Sequence, residues 1–527
     1  MKFPNCKYGV VLIAFAFTAL SCNQKILSAT TVPGKMEVTS IETMNPILKR
    51  MESNPVLRIR AYIPPSAKAK KITSIKLVLN ENGLKNIQEV QVYYRGIEPL
   101  FNAAKPIETI KPSSLNFEIP VSVYMEPGLS YIWIGATLKE SADLGDLVEI
   151  NAVSLLESSG ESISIEKNNL EEKKRLGIAV RKAGDDGVNS YRIPGIITTD
   201  KGTLIAVYDI RYNNSGDLPG NIDVGMSRST DGGQTWEPMK NIMDMGAPHE
   251  NNGIGDPAVL FDPVTKKLWV AALWSKGDRS IRGSEPGLSP DTTGQFVLAS
   301  SDDDGVSWSV PYSITSQVKD PKWHLYFNGP GNGIAMQNGT LVFPSQYWDE
   351  SRKPGQPHSA IIYSDDHGKS WKSGTGAKSN TTESQVVETT PGTLMLNMRD
   401  NRGEFRSVST TTDLGKTWTE HPTSYRALHD PVCMGSIIKA VVNVKGVMKE
   451  VLFFSNPNTI KGRYNISIKA SLDLGETWME SNKILIDERE GFGYSCLTKI
   501  DDNTIGILYE GVRDLYFVRV PVSDILN

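Results

Sequence analysis

The sequence is poor in cysteine and carries no strong excess of charge of either sign. Of four cysteines in 527 residues, only Cys433 and Cys496 lie beyond residue 22, which excludes a disulfide-rich scaffold. A single bond between these two cysteines stays open. The formal net charge of −4 gives no basic field of the kind that binds nucleic acid. An anionic ligand therefore needs a local cluster of cations.

The motifs of nucleotide and metal sites are also missing. The sequence has no glycine-rich phosphate loop and no dinucleotide fingerprint. His249 and Glu250 are adjacent, but no second histidine stands at ligand spacing. The acidic run Asp302–Asp304 belongs to a repeat that is described below. We therefore expect no organic cofactor and no catalytic metal, while a structural calcium ion stays open.

Only one apolar run is long, and it lies at the N-terminus. Lys2 and Lys7 accompany the run Gly9–Leu20, and Ser21 and Cys22 follow it. This pattern is typical of a targeting segment. A cysteine at the end of the run resembles a bacterial lipoprotein signal, in which Cys22 carries the lipid. We expect export across the inner membrane and anchoring in the cell envelope by lipid alone; the alternative is a plain secretory peptide that is cleaved slightly later.

The rest of the chain divides into two β-rich parts. Residues 23–70 are polar with scattered prolines and predict a tether. Short β-branched and aromatic runs over 71–165, such as Ser74–Asn80, predict a β-sandwich. The charged stretch 166–180 predicts a linker or a short exposed helix. The remaining part, 181–527, is the larger domain.

The larger domain repeats the template Ser/Thr-x-Asp-x-Gly-x-x-Trp five times, each time after a strand-like run. The copies are Ser229–Trp236, Ser301–Trp308, Ser364–Trp371, Thr411–Trp418 and Ser471–Trp478. An aspartate that accepts bonds from turn amides, a glycine free to take positive φ and a tryptophan that packs back make a self-contained turn. Five copies at this spacing indicate a repeat architecture.

These repeats resemble the Asp-boxes of the sialidase superfamily. The resemblance implies an all-β chain whose six-bladed β-propeller carries one such turn per blade, with one blade lacking it. We expect the box aspartates to be structural. Because Asp-boxes also occur in propellers of other function, they indicate the fold and not the activity.

Three arginines match the clamp with which this family holds the sialic acid carboxylate. Ser190–Pro194, SYRIP, resembles the family's (F/Y)-R-I-P motif and makes Arg192 the first clamp residue. Arg399, in NMRD, and Arg463, in GRYNISIKA, resemble the second and third. A guanidinium group suits this task because its planar fork binds a carboxylate at two points and stays charged.

The resemblance also assigns an acid/base residue. The stretch 208–221, YDIRYNNSGDLPGN, resembles the family loop in which an arginine precedes the catalytic aspartate. It makes Asp217 the acid/base and Arg211 a residue that contacts substrate oxygens. Asp209 and Asp223 are the nearby competitors, but Asp209 ends one strand and Asp223 begins the next.

For the nucleophile, the family pattern points to Tyr494 in GFGYSCL, with Glu383 as its partner. A carboxylate nucleophile would be repelled by the substrate carboxylate, whereas a tyrosine stays neutral until it attacks, and sialidases are the tyrosine exception among glycosidases. Glu388 is the competing candidate for the role of Glu383, but it alternates onto the opposite face of the strand. Glu510, in ILYEGVRD, resembles a position that orients the first arginine.

The resemblance also implies further pocket residues, for which the chemical argument is weaker. Asp256, in Gly-Asp-Pro, matches a family position that contacts the N-acyl group, and Trp274 lines an apolar recess or belongs to the core. The N-terminal sandwich resembles the accessory domain ahead of bacterial sialidase propellers. Its aromatic residues, Tyr93, Tyr94, Tyr131 and Trp133, are candidates for a sugar-binding platform.

The sequence as a whole predicts a monomeric exo-α-sialidase that acts on sialylated glycans with retention of configuration. Two alternatives stay open. One is a sialic-acid-binding lectin, which needs the arginines but not Asp217, Glu383 and Tyr494. The other is a trans-sialidase or intramolecular variant that uses the same covalent intermediate. Linkage preference and acyl tolerance are not readable.

Overall fold

The chain folds almost entirely into β-strands, in a computed structural model that describes residues 35–167 and 173–526. The N-terminal part forms two sheets on a shared core, and the rest forms six further sheets with four or more strands each. The predicted signal segment, with Cys22, lies outside the described residues. Over the described ranges, no helix is long and apolar enough to cross a membrane.

The N-terminal sandwich packs a six-stranded sheet against a four-stranded one. In spatial order, the larger sheet contains Glu166–Lys167, Glu37–Glu42, Asn54–Ile63, Gly128–Leu138, Ile87–Gly96 and Glu108–Ile110. The smaller sheet contains Ser162–Ser164, Ile150–Glu157, Lys70–Leu79 and Asn116–Met125. One short helix, Glu81–Asn86, is capped by Asn80, whose side chain accepts a bond from the amide of Gly83.

The tether predicted over 23–70 is wrong for much of its length, because residues 37–63 carry three strands. Asn54–Ile63 lies inside the larger sheet, and it alternates buried and half-buried side chains along most of its length. Pro55 and Pro64 near the two ends of this strand hide the alternation in the sequence, since proline is tolerated there more readily than in mid-strand. The sandwich therefore begins well before residue 71.

The charged stretch 166–180 also contributes strands instead of a plain linker. Glu166–Lys167 pairs in parallel with the first strand of the sandwich. Lys174–Arg181 belongs to the ring of sheets, and residues 168–172 lie outside the described part. The two domains therefore share a connection that is paired at both of its ends.

Two of the four aromatic residues predicted as a sugar-binding platform are not open to a sugar ring. Tyr93 and Trp133 are buried. Phe101 lies edge-on against both rings, with centroid distances of 5.2 Å to Tyr93 and 5.5 Å to Trp133. A segment that follows the strand Ile87–Gly96 thus covers the surface that a sugar ring would need.

Six sheets form the blades of the propeller. Blade 1 contains Ser190–Thr198, Leu204–Arg211, Ile222–Ser229 and Lys240–Met243; blade 2 contains Ile254–Asp262, Lys267–Trp274, Gln295–Ser301 and Tyr312–Ser313. Blade 3 contains Leu325–Asn328, Leu341–Trp348, Pro357–Ser364 and Lys372–Ser373; blade 4 contains Thr381–Thr390, Thr393–Asp400, Ser407–Thr411 and Thr419–Glu420. Blade 5 contains Ser436–Val444, Val447–Pro457, Ile466–Ser471 and Lys483–Asp487; blade 6 contains Ser495–Asp501, Thr504–Glu510, Leu515–Pro521 and Lys174–Arg181.

Short elements complete these sheets. Gly331–Asn332 pairs with blade 2, Ile334–Ala335 and Lys378–Ser379 pair with blade 3, and Glu404–Phe405 pairs with His429–Asp430. The helices are Thr315–Val318 and Val522–Ile525, with 3-10 turns at Asp185–Gly187, His249–Asn251, Ile281–Gly283 and Glu480–Asn482.

Strands from both ends of the domain build blade 6. Lys174–Arg181 pairs antiparallel with Leu515–Pro521. The strand Ile47–Lys49 and the strand Leu147–Val148 come from the N-terminal part and extend the same sheet. Because its neighbours in the sheet lie more than 300 residues apart in sequence, this blade closes the ring and fastens the sandwich to it.

The five repeats form the turn between the third and fourth strands of blades 1 to 5. In blade 3, Asp366 accepts bonds from the Ser364 hydroxyl at 2.7 Å and from the Ser370 amide and hydroxyl at 2.9 and 2.6 Å. The amide of Gly368 donates to the Ser364 hydroxyl at 2.8 Å. The same four bonds occur in the other copies. Blade 6 has no repeat because its fourth strand precedes its third in the chain.

We expect Asp366→Ala to lower the free energy of unfolding by about 1–3 kcal/mol in urea titrations, since three hydrogen bonds are lost. The bonds lower the pKa of Asp366 from 3.8 to about 2. Their stabilisation is therefore complete above pH 3.8 and is lost as the pH falls through 2, so the difference between variant and native protein shrinks over that window.

The matched control is Asp365→Ala in the same turn. Asp365 forms only an exposed ion pair with Lys372, so its loss changes the free energy of unfolding by less than about 1 kcal/mol. Equal destabilisation by the two variants contradicts a structural role that is specific to Asp366.

Candidate active site

One end of the ring carries a cavity of about 720 Å³. Its walls come from the starts of first strands, the ends of second strands and the loops that follow them. Of the residues predicted from the sequence, the cavity brings together Arg192, Asp217, Asp256, Glu383, Arg399, Arg463 and Tyr494. These residues come from blades 1, 2, 4, 5 and 6.

Bulges at the starts of first strands aim several of these side chains into the cavity. The pairing register of the first and second strands shifts between Arg192 and Gly195 in blade 1 and between Thr381 and Ser384 in blade 4. A third shift in blade 2 brackets Asp256. A bulge inserts a residue that opposes no partner and turns its neighbours out of the strand alternation. Strand periodicity alone therefore does not predict where these side chains point.

Glu510 fixes the first arginine and the tyrosine together. Its buried carboxylate accepts bonds from Arg192 Nε at 3.1 Å and Nη2 at 3.4 Å. The same carboxylate accepts the amides of Ile193 at 2.9 Å and Tyr494 at 3.0 Å. One side chain of blade 6 thus contacts both Arg192 of blade 1 and the backbone of Tyr494.

Tyr494, Glu383 and Arg399 form a closed triangle. The Tyr494 hydroxyl donates to Glu383 Oε1 at 2.5 Å. Arg399 Nη1 donates to the Tyr494 oxygen at 2.8 Å and also to Glu383 Oε2. Burial, reinforced by the Glu383 carboxylate, raises the pKa of Tyr494 well above its ordinary value. The phenol is therefore neutral, and the group that can accept its proton is already bonded to it.

Arg463 is held by carbonyl groups instead of by a carboxylate. Its Nη1 donates to the Phe492 oxygen at 2.9 Å and its Nη2 to the Val432 oxygen at 3.0 Å. Val432 has φ of 56°, which is an outlier for a β-branched residue. The carbonyls orient Arg463 without cancelling its charge.

A buried arginine supports the loop that carries this carbonyl. Arg406 is fully buried and donates to the Cys433 oxygen at 2.6 Å and to Asn397 Oδ1 at 2.7 Å. Asp430, also fully buried, lies 3.6 Å from Arg406 and accepts the amide of Cys433. Cys433 and Cys496 are separate buried thiols, so the bond left open by the sequence is absent.

Asp217 stands at the cavity mouth beside two arginines. Its carboxylate lies 2.7 Å from Arg211 Nη1 and 3.3 Å from Arg192 Nη1, and its side chain is 67% exposed. Partial burial of the carboxyl would raise the pKa of Asp217, but Arg211 and Arg192 outweigh it and hold the pKa below its ordinary value.

Asp256 lines the cavity in the opposite protonation state. Burial and the nearby carboxylates of Asp209, Asp217 and Glu383 raise the pKa of Asp256 well above its ordinary value. Its amide donates to Asp209 Oδ1 at 2.8 Å. A protonated Asp256 offers a hydrogen-bond donor to a ligand.

Two predicted substrate contacts are not found in the cavity wall. Arg211 is buried beneath Asp217, and its guanidinium group is bonded to Asp209, Ser215 and Asp217. Trp274 packs against the core shared by blades 1 and 2 and donates to Asn252 Oδ1 at 2.8 Å. Arg211 is thus a support for the loop, and Trp274 is a half-buried residue that packs against the core.

The apolar wall that the sequence analysis missed is formed by Trp348 and Phe327 of blade 3. Trp348 ends a second strand, as Trp274 does in blade 2. The place of Trp348 at the end of a second strand is the sequence signal that points to the cavity. Whether the end of a given second strand lines the cavity depends on how the loops above it pack. Those loops are distant in sequence, so a local pattern does not predict the outcome.

Comparison with known families decides the assignment. Residues 202–507 match the family described as BNR repeat-like domain, and residues 35–161 match the N-terminal domain of BNR-repeat neuraminidase. The chain belongs to the BNR-repeat sialidases. Membership confirms the predicted fold, an all-β propeller with an N-terminal β-domain, and it makes the chain a glycoside hydrolase of the sialidase class.

Two relatives of this sialidase chain match nearly its whole length, and a third matches about two thirds of it. A sialidase of Bacteroides fragilis strain YCH46 is 43% identical over 525 residues, which are 92% of this chain and 95% of the relative. A solved structure, Hadza microbial sialidase Hz136, has a TM-score of 0.85 at 40% identity and covers 92% of this chain and 100% of its own. A Micromonospora viridifaciens sialidase is 32% identical over 63% of this chain and 52% of its own length.

Proposed function

We propose that the chain is an exo-α-sialidase that removes terminal sialic acid from glycans with retention of configuration and with Tyr494 as the nucleophile. The observation that carries this proposal is the bond from the Tyr494 hydroxyl to Glu383, with Arg399 in contact with both. A sialic-acid-binding lectin needs an arginine clamp, but it has no use for a tyrosine paired with a base.

The arginines bind the carboxylate that marks the substrate. Arg192, Arg399 and Arg463 line one cavity, and their planar groups suit bidentate contact with a carboxylate. Glu510 and Glu383 compensate the first two, whereas Arg463 keeps its full charge toward the ligand. The two carboxylates stabilise the buried cations, and the charge of Arg463 still attracts one anion.

Bond formation and cleavage follow from the positions of the proton carriers. The Tyr494 oxygen attacks the anomeric carbon while its proton passes to Glu383. The bond to the leaving oxygen breaks, and that oxygen takes a proton from Asp217. Water then attacks the tyrosyl-linked carbon, gives a proton to Asp217 and returns Tyr494 to its phenol form as Glu383 releases the proton. Two displacements at one carbon retain configuration.

A tyrosine suits this site because of the charges around the reacting carbon. A carboxylate there would meet the substrate carboxylate at contact distance and be repelled. The raised pKa of Tyr494 keeps the phenol neutral in the free protein. Arg399, at 2.8 Å from the phenol oxygen, stabilises negative charge on that oxygen as the proton leaves.

We expect Tyr494→Phe to lower kcat on a fluorogenic N-acetylneuraminic acid glycoside by about 10³-fold or more, and Asp217→Ala and Glu383→Gln by about 10²–10⁴-fold. Product anomers are followed by NMR, and the α-anomer appears first if the configuration is retained. A matched control is Tyr425→Phe, outside the cavity. Sialoside binding without turnover by the native protein would favour the lectin, and a sialyl transfer product would favour a transferase.

The pH dependence tests the role of Asp217. In the free protein, the pKa of Asp217 is lowered, with Arg211 and Arg192 favouring its carboxylate form. A substrate carboxylate on Arg192 weakens that pull, so the pKa of Asp217 rises when substrate binds. Because the acid must be protonated, we expect kcat to fall at a higher pH than kcat/KM does. Coincident alkaline limbs in the two steady-state profiles contradict this coupling.

We also propose that Cys22 carries a lipid that anchors the protein in the cell envelope after export. The support is its place directly after the apolar run and Ser21. In a bacterial host fed labelled palmitate, we expect the full chain to incorporate label and to fractionate with membranes. Cys22→Ser loses both, and the control Cys6→Ser keeps both. Release of unlabelled native protein would favour the plain secretory peptide.

A further inference from the structure

The cavity holds more positive charge than one sialic acid carboxylate uses. Besides the arginines of the clamp, it is lined by Arg282, Arg352 and Lys353, all three of which are exposed. Lys353 forms an ion pair with Glu285 at 2.5 Å. In the described part of the chain, neither Arg282 nor Arg352 has an ion pair. Two uncompensated cations therefore face the same cavity as the clamp.

Both cations are carried by loops with internal support. Arg282 lies between the second and third strands of blade 2, and Arg352 lies at the corresponding place in blade 3. Asp349 closes the second loop, since its carboxylate accepts the amides of Ser351 and Gln356, each at 3.0 Å. The ion pair described above joins the two loops. The cations thus stand on neighbouring supported segments.

These loops lie on the side of the cavity where the leaving group departs. Leu218, next to Asp217, belongs to an apolar cluster against which Ile281 and Trp348 pack. Ile281 precedes Arg282, and Trp348 leads into the loop of Arg352. Under the proposed function, Asp217 protonates the leaving oxygen, so the sugar attached to that oxygen passes beside these loops.

We propose that Arg282 and Arg352 bind a second anionic group, carried by the sugar next to the terminal sialic acid. The favoured substrate class is then a glycan whose penultimate unit bears a carboxylate or a sulfate. Attraction between exposed charges is screened by salt, so the preference is strongest at low ionic strength. The inference rests on the proposed function, because that function defines which sugar leaves.

The test compares matched substrates on the full chain. One pair is α2,8-linked disialic acid and the same disaccharide with its internal carboxylate amidated. The other is a sialylated galactoside with and without a sulfate on the galactose. We expect the native protein to favour at least one charged member of a pair by fivefold or more in kcat/KM. The pair that responds tells whether carboxylate or sulfate is the group bound.

The variant Arg282→Ala/Arg352→Ala should bring that ratio close to one, and added salt should lower it in the native protein. Because the ratio compares two substrates on one protein, partial misfolding does not imitate this result. The control Lys322→Ala/Arg426→Ala removes two exposed cations outside the cavity and should keep the native ratio.

A native ratio near one for both pairs, or a ratio that the double variant leaves unchanged, overturns the proposal. If the native protein hydrolyses no member of either pair, the proposed function fails instead. Calorimetric binding of the same sugars then tests the second anion site independently of turnover. A fivefold affinity difference that the variant abolishes supports the second anion site, and equal affinities reject it.

Discussion

Closure of the ring between Lys174–Arg181 and Leu515–Pro521 is the constraint on which the active site depends. The cavity combines side chains from all six blades, and no single sheet contains a complete set. Glu510 ends the strand beside this closure and reaches both Arg192, early in the chain, and Tyr494, late in it. The pairing that completes the ring therefore also brings Arg192 and Tyr494 to one carboxylate. The N-terminal sandwich adds the strand Ile47–Lys49 to the same sheet, so it strengthens the blade where the ring would otherwise open.

The three arginines that line the cavity beside Tyr494 are held in different ways. Arg192 contacts the carboxylate of Glu510, which also accepts the amide of Tyr494. Arg399 contacts the carboxylate of Glu383, which also accepts the Tyr494 hydroxyl. Within the described residues, the Arg463 side chain donates hydrogen bonds only to carbonyl oxygens. A buried cation without a counter-charge is unfavourable, and partial exposure to the cavity together with two carbonyl bonds reduces that penalty. A bound carboxylate would reduce it further, which makes the empty cavity electrostatically suited to an anion.

The sequence predicted the fold and most of the polar residues that line the cavity, because both rest on local motifs. The repeats are turns whose bonds all lie within eight residues, and Arg192 and Tyr494 stand in short motifs that resemble the family's. The failures share a different cause. Arg211 was expected to contact substrate, but Asp209 and Asp217 occupy its guanidinium group. Trp274 and Trp348 both end second strands, and only the packing of distant loops decides which one lines the cavity. The sequence predicts a tether over the strands within 37–63 because prolines interrupt the alternation of apolar and polar residues. Pairing with neighbouring strands in the sheet holds these residues extended all the same.

The order of elements along the chain has a consequence for how the site matures. Arg192 is made early, whereas Tyr494 and Glu510 lie within the last 34 residues, and the fourth strand of blade 6 waits for a partner more than 300 positions away. Contacts of such long sequence separation form late in folding. A chain still emerging from the ribosome can complete five blades and their turns, yet it has Arg192 without Tyr494 beside it. The cavity is thus complete only when the last strands are in place.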